Sequence, residues 1–191
     1  MPLVHLIRHA RPAAAWGVDP DPGLDAVGLE QAEATAHAMA LASPPLPLYT
    51  SPLRRCRETA GPLERTWNCI ATVVPACAEI PAPPLDQGER RAWLDRVLAG
   101  TWTDLEVCAE AGWPDYAAWR ATLLRSLESL AGESVVFTHF IAINAVVAAA
   151  LGRNEVVCFQ PDHASITTVD VSPGGIRIVS RGDHGDTAVL T

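Results

Sequence analysis

The nine residues Leu3-Val4-His5-Leu6-Ile7-Arg8-His9-Ala10-Arg11 constrain this chain more than any other stretch. They open as a short aliphatic run and end in Arg-His. A run of that length and composition reads as a buried strand of a parallel sheet. Open α/β sheets place their ligands beyond the carboxyl ends of the strands. Arg8 and His9 are therefore delivered to the edge where such folds do chemistry. A guanidinium can grip a phosphoryl oxygen pair while a neutral imidazole nitrogen attacks phosphorus. The same two residues also fit a strand end with no chemistry at all, and the rest of the chain has to choose.

Strand and helix signals alternate from there. Alanine-rich Leu29 to Leu41 reads as a helix, with His37 as a surface or half-buried histidine. Ser43-Pro44-Pro45 breaks it, and Leu46 to Thr50 reads as a second strand. Ser51-Pro52 predicts the cap and first position of the next helix, which carries Arg54, Arg55 and Arg57. A helix start at a strand's carboxyl end is an anion site in waiting. Ala71 to Pro75 reads as a third strand. The proline-dense Glu79 to Pro84 excludes regular structure, and Leu85 to Trp113, with Trp93, Trp102 and Trp113, reads as an insertion over the carboxyl edge. A helix follows from Pro114 to Leu130. Val135 to Thr138 forms a fourth strand ending in His139, and an apolar helix runs from Ile141 to Leu151. Ser165 to Val171 and Gly175 to Arg181 pair as a hairpin. This alternation predicts an α/β fold: a three-layer sandwich with a mostly parallel sheet between helices.

Composition removes several classes. At 191 residues and 49% hydrophobic the chain can bury a real core. A net charge of −8 argues against nucleic acid or an anionic membrane as partner through a basic face. The five cysteines (56, 69, 77, 108, 158) show no metal spacing and suggest reduced thiols of the cytoplasm. No signal peptide is expected, and the longest apolar segment, from Phe140 to Leu151, is too short to span a bilayer.

Two strands end in histidine, at His9 and His139, and a third feeds the helix bearing Arg54 and Arg55. Their carboxyl ends converge in such a sheet, so one pocket gathers arginines and histidines with few acids other than Glu79. It suits a dianionic phosphoryl group, each charge pair near 4 Å being worth roughly 4 kcal/mol at an effective dielectric of about 20.

At this point the chain resembles the histidine phosphatase superfamily, the phosphoglycerate mutase-like fold. Leu6-Ile7-Arg8-His9-Ala10 is similar to its Leu-x-Arg-His-Gly signature. Asp21-Pro22-Gly23-Leu24 with Gly28 and Gln31-Ala32 is similar to Asp-x-x-Leu-x-x-x-Gly-x-x-Gln-Ala. Ser51-Pro52-Leu53-Arg54-Arg55-Cys56 with Thr59-Ala60 is similar to Ser-x-Leu-x-Arg-Ala-x-x-Thr-Ala, and Val135 to His139 resembles the last-strand histidine. The motifs run in family order from residue 3 to about 152.

The resemblance implies a metal-independent phosphatase of a small phosphomonoester or a phosphorylated protein side chain, working without a cofactor through a phosphohistidine. His9 would be the nucleophile; Arg8 and Arg55 would clamp the phosphoryl oxygens; His139 would complete the clamp. Glu79 would be the general acid, with Asp86 and Glu89 in reserve. The whole of 1–191 would be one such domain, its insertion at about 79–113 covering the active site. Three positions depart from the family pattern. Ala10 and Phe140 stand where glycines are common, and Ala15 stands where an asparagine often contacts phosphate. Asn144 either supports the site or is a tolerated polar residue of its helix, and His163 reads as a loop-surface histidine. Three other readings compete: a phosphoglycerate mutase, a catalytically silent phospho-ligand binder, and a metallohydrolase using His5, His9 and His139.

Overall fold

A computed structural model describes residues 2–14, 19–172 and 175–182 of the chain. The opening aliphatic run is strand β1 (Leu3–Arg8). It lies inside a six-stranded sheet of order β3-β2-β4-β1-β5-β6, where the remaining strands are β2 (Leu48–Thr50), β3 (Thr72–Val73), β4 (Ser134–Thr138), β5 (Ile166–Ser172) and β6 (Gly175–Ser180). The ladders β3-β2, β2-β4 and β4-β1 are parallel; β1-β5 and β5-β6 are antiparallel. The hairpin expected at the end of the chain is thus the antiparallel margin of a mostly parallel sheet.

Both faces of the sheet are covered, which is why its central strands are apolar on both sides. Ile7, Val135 and Phe137 meet Ala36 and Met39 of α1 (Ala26–Ala42) and Cys56, Ala60 and Leu63 of α2 (Arg54–Trp67). Val4, Leu6 and Val136 point the other way. They meet α3 (Gln87–Ala99), α4 (Trp102–Val107), α5 (Tyr116–Glu128) and α6 (Phe140–Leu151). The period of two along β1 and β4 therefore assigns alternate side chains to two layers of helix.

Several boundaries differ from expectation for local reasons. The second and third strands shrink because Pro47 has no N–H for the ladder and Pro75 begins a 3-10 turn, Pro75–Cys77. The helix after β2 starts at Arg54, two residues beyond the expected Pro52, and its cap position, Leu53 rather than Ser51, makes no side-chain cap. The Ser51 hydroxyl is spent elsewhere, 2.7 Å from His139 Nε2, while also accepting from Leu53 N–H. Among the described residues no helix is long and apolar enough to cross a membrane.

Asn144 proves to be a structural tie. It is wholly buried, its Nδ2 donates to Phe140 O, and its Oδ1 accepts from Cys158 N–H at 2.8 Å and Phe159 N–H at 3.1 Å. It fastens the segment after α6 to that helix. Asn144→Leu would orphan two backbone donors, each costing about 1–3 kcal/mol when buried. We expect a loss of about 2–4 kcal/mol in urea unfolding, at least twice that of Asn154→Leu at the exposed Asn154–Thr103 contact.

Candidate active site

The site is built on the backbone that follows β1. Ala10 N–H donates to Thr59 Oγ1 at 3.0 Å, and that hydroxyl donates to Arg55 O at 2.6 Å. Arg11 N–H donates to Gln31 Oε1 at 2.9 Å. Gly28 packs so tightly on the next carbonyl that a Cβ there would lie 2.1 Å from Arg11 O. Ala10, Ala32 and Ala164 close the joint as a small apolar cluster. The residues of the second and third sequence motifs thus hold residues 9–11 in place. Ala10 does not adopt a positive φ, so the departure from glycine costs the backbone nothing.

The held backbone fixes the chemistry of His9. Its Nδ1 is 2.9 Å from Ala10 O. A carbonyl only accepts, so Nδ1 carries the proton and Nε2 keeps its lone pair. Burial pushes the His9 pKa well below its ordinary value, and His139, Arg55 and Arg8 push it the same way. A neutral imidazole with a free nitrogen is the nucleophilic form.

Arg8 and Arg55 flank it, 3% and 8% exposed. Burial brings the Arg8 pKa down to about 10, where it remains charged at neutral pH. Its Cζ lies 5.1 Å above the Phe140 ring, so Phe140 is both an apolar wall and a face under the cation. Arg54 turns outward to Glu58 at 2.6 Å. Glu79 lies across the site, with its carboxylate at the start of α6. It accepts from Ile80, Ile141 and Ala142 N–H at 3.0–3.1 Å. Burial pushes its pKa up against the pull of those amides and of Arg55. Arg8, His9, Arg55, Glu79, Phe140 and His163 are among the residues lining one cavity of about 540 Å³.

His139 is wholly buried, its ring 5.2 Å from that of His9 and its Nε2 2.7 Å from Ser51 Oγ. Cys56 Sγ lies 3.3 Å from the same nitrogen. Burial, then Arg55 and Arg8, push the His139 pKa well below the usual range. His163 is no surface residue: it is 7% exposed and its Nε2 is 3.0 Å from Arg8 Nη2. A distance of 155 residues separates the two in sequence, so only the tertiary path could reveal the pairing. His5 faces Thr168 and Glu133, away from His9. Asp86 and Glu89 form the capping box of α3. The tryptophans do not wall the site as expected. Trp93 stacks on Tyr116 and Trp102 packs near Trp119, so they fasten the insertion to α5 while the desolvation of Glu79 comes from its own pocket. Ala15 lies outside the described residues.

A larger hollow of about 750 Å³ opens beside α3 and α4 and includes Glu89, Arg96, Asp104 and Glu110. Size alone would choose it. Its lining sets one arginine, Arg96, against three acids and holds no histidine, a balance that disfavours a phosphoryl group, whereas the smaller cavity gathers Arg8, Arg55 and Arg90 around His9.

The profile of the histidine phosphatase superfamily (branch 1) matches residues 4–184. The fold is similar to a phosphoserine phosphatase from Entamoeba histolytica, with a TM-score of 0.73 at 19% identity over 96% of this chain and 98% of that one. It is also similar to a phosphoglycerate mutase from Thermus thermophilus, with a TM-score of 0.65 at 24% identity over 96% and 99%. At these identities both likenesses speak for the fold. The PE-PGRS family protein PE_PGRS11 of Mycobacterium tuberculosis is 35% identical over 85 residues, 42% of this chain, and the match spans 15% of that protein's length.

The buried histidines make stability depend on pH. His9 and His139 bind protons only well below 6.5 when folded, whereas the unfolded chain binds them near that value. The unfolded state holds more protons in this window, so stability falls as pH drops through it. Glu79 opposes the trend, because its carboxyl takes up a proton earlier when folded than when unfolded. In a Glu79→Gln background, the urea midpoint should fall from about pH 7 to about pH 5. Adding His139→Gln should flatten that slope.

Proposed function

The chain belongs to the histidine phosphatase superfamily, and from that membership we propose that it is a metal-independent phosphatase acting on a small phosphomonoester or a phosphorylated protein side chain. One observation carries this reading: His9 has its proton on Nδ1, its Nε2 lone pair free, two arginines beside it and a carboxyl in the same cavity.

His9 Nε2 attacks phosphorus in line, and the P–O bond to the leaving group breaks. Arg8 and Arg55 hold the charge that spreads over the three equatorial oxygens, the task a metal ion performs in other phosphoryl-transfer sites. Glu79, protonated, gives its proton to the leaving oxygen. The phosphohistidine then reacts with water. Glu79, now a carboxylate, takes the proton, the P–N bond breaks, and its electron pair returns to His9. Inorganic phosphate leaves with the starting protonation restored. His139, behind His9, helps to keep the nucleophile neutral. A cavity of about 540 Å³ is of a size that takes a small molecule.

Brief reaction with p-nitrophenyl phosphate followed by alkaline quench should leave an acid-labile phosphate on the wild-type protein. It should leave none on His9→Ala, which should also retain under about 1% of turnover, covalent catalysis having lost its nucleophile. Label surviving on His9→Ala refutes the assignment.

Glu79 has a separate signature. A poor alkoxide leaving group needs a proton in the transition state and p-nitrophenolate barely does. General acid catalysis is worth about 10²–10⁴-fold. Single-turnover phosphorylation of Glu79→Gln should fall by that range with an alkyl phosphate and by far less with p-nitrophenyl phosphate.

A further inference from the structure

Arg8 is gripped by a segment that sequence motifs do not mark. Its Nη1 donates to Pro161 O at 2.9 Å, and its Nη2 lies 3.0 Å from His163 Nε2. A guanidinium only donates, so His163 Nε2 must hold its lone pair and the ring is neutral with its proton on Nδ1. Burial and the neighbouring Arg8 keep it so, bringing its pKa down to about 4, with Asp162, Arg11 and Asp25 as the other charged groups that bear on it. The segment itself is pinned. Ala164 N–H donates to Arg8 O, Thr35 Oγ1 donates to Ala164 O, and Asn144 holds Cys158 and Phe159. Ala164 sits at φ 58°, in the left-handed region that costs an L-residue. A strained turn is thus maintained where it aims His163 at Arg8.

Two of the five N–H bonds of Arg8 are committed to this segment. Its Nε is buried without a partner among the described groups. The strongest competing acceptor is Glu79, whose charge also acts on Arg8. A guanidinium drawn onto Glu79 would hold that carboxyl ionised and turn its own fork from the phosphoryl position.

We propose that His163 is a positioning residue: its Nε2 holds Arg8 away from Glu79 and leaves the remaining N–H bonds of the guanidinium's terminal nitrogens for the phosphoryl group. This rests on the phosphatase reading above.

Two substitutions separate the acceptor from the ring. His163→Gln removes the ring but can place Oε1 where Nε2 was; His163→Phe keeps the ring and has no acceptor. The readouts are calorimetric binding of inorganic phosphate and kcat/KM for p-nitrophenyl phosphate, with melting temperature as the fold control. A hydrogen bond to a charged group is at stake, so His163→Phe should lose about tenfold or more in both, and His163→Gln should stay within about threefold of wild type. Should the phenyl variant fail the fold control, His163→Leu replaces it. Phosphate affinity unchanged in the phenyl variant, or a glutamine variant as impaired as the phenyl one, overturns the proposal. If the wild type turns over no phosphomonoester, the phosphatase reading fails, while phosphate calorimetry on the same variants still decides the role of His163.

Discussion

Two guanidinium groups, Arg8 and Arg55, are buried at one edge of one sheet, and much of the site follows from that electrostatic fact. Charge out of water is costly unless it is met by acceptors or counter-charge. Among the described residues that line the cavity the carboxylates are Glu79 and Asp19, and burial favours the neutral form of Glu79. Arg8 therefore spends N–H bonds on Pro161 O and His163, and its face on Phe140. Burial, with the two cations, keeps His9 and His139 neutral. A dianionic group entering the cavity would supply the counter-charge that the protein withholds.

The second constraint is the rigidity of residues 9–11. Thr59, Gln31, Gly28 and Ala32 touch no reacting atom, yet they are the residues by which the family pattern is recognised. Their work is to fix the carbonyl of Ala10, because that carbonyl decides which nitrogen of His9 carries the proton. A shift there would cost the tautomer before it cost the fold. Asn144 plays a similar part for the opposite wall, holding the segment that brings His163 in.

The insertion shows how composition can mislead. Three tryptophans between Leu85 and Trp113 suggest a cover that dries the general acid. Trp93 and Trp102 are instead buried against α5, where their area is better used fastening two short helices to the main body. Glu79 owes its raised pKa to its own burial, beside the first turn of α6. Ser51 misleads in the same way. As a residue before a helix it reads as a cap, and its hydroxyl goes to His139 because a buried imidazole nitrogen needs a partner more than an exposed helix start does.

The sequence by itself determined the alternation of strand and helix and the two histidines at strand ends. Each of these is written in local periodicity and short spacing, which act within a few residues. Only the tertiary structure decided that His139 stands behind His9, that Asn144 is a tie and that His163 reaches Arg8. Those relations join segments far apart in the chain, and no local pattern encodes which of several buried polar groups will find which partner. That choice is made when the sheet closes and every buried donor and acceptor has to be matched at once.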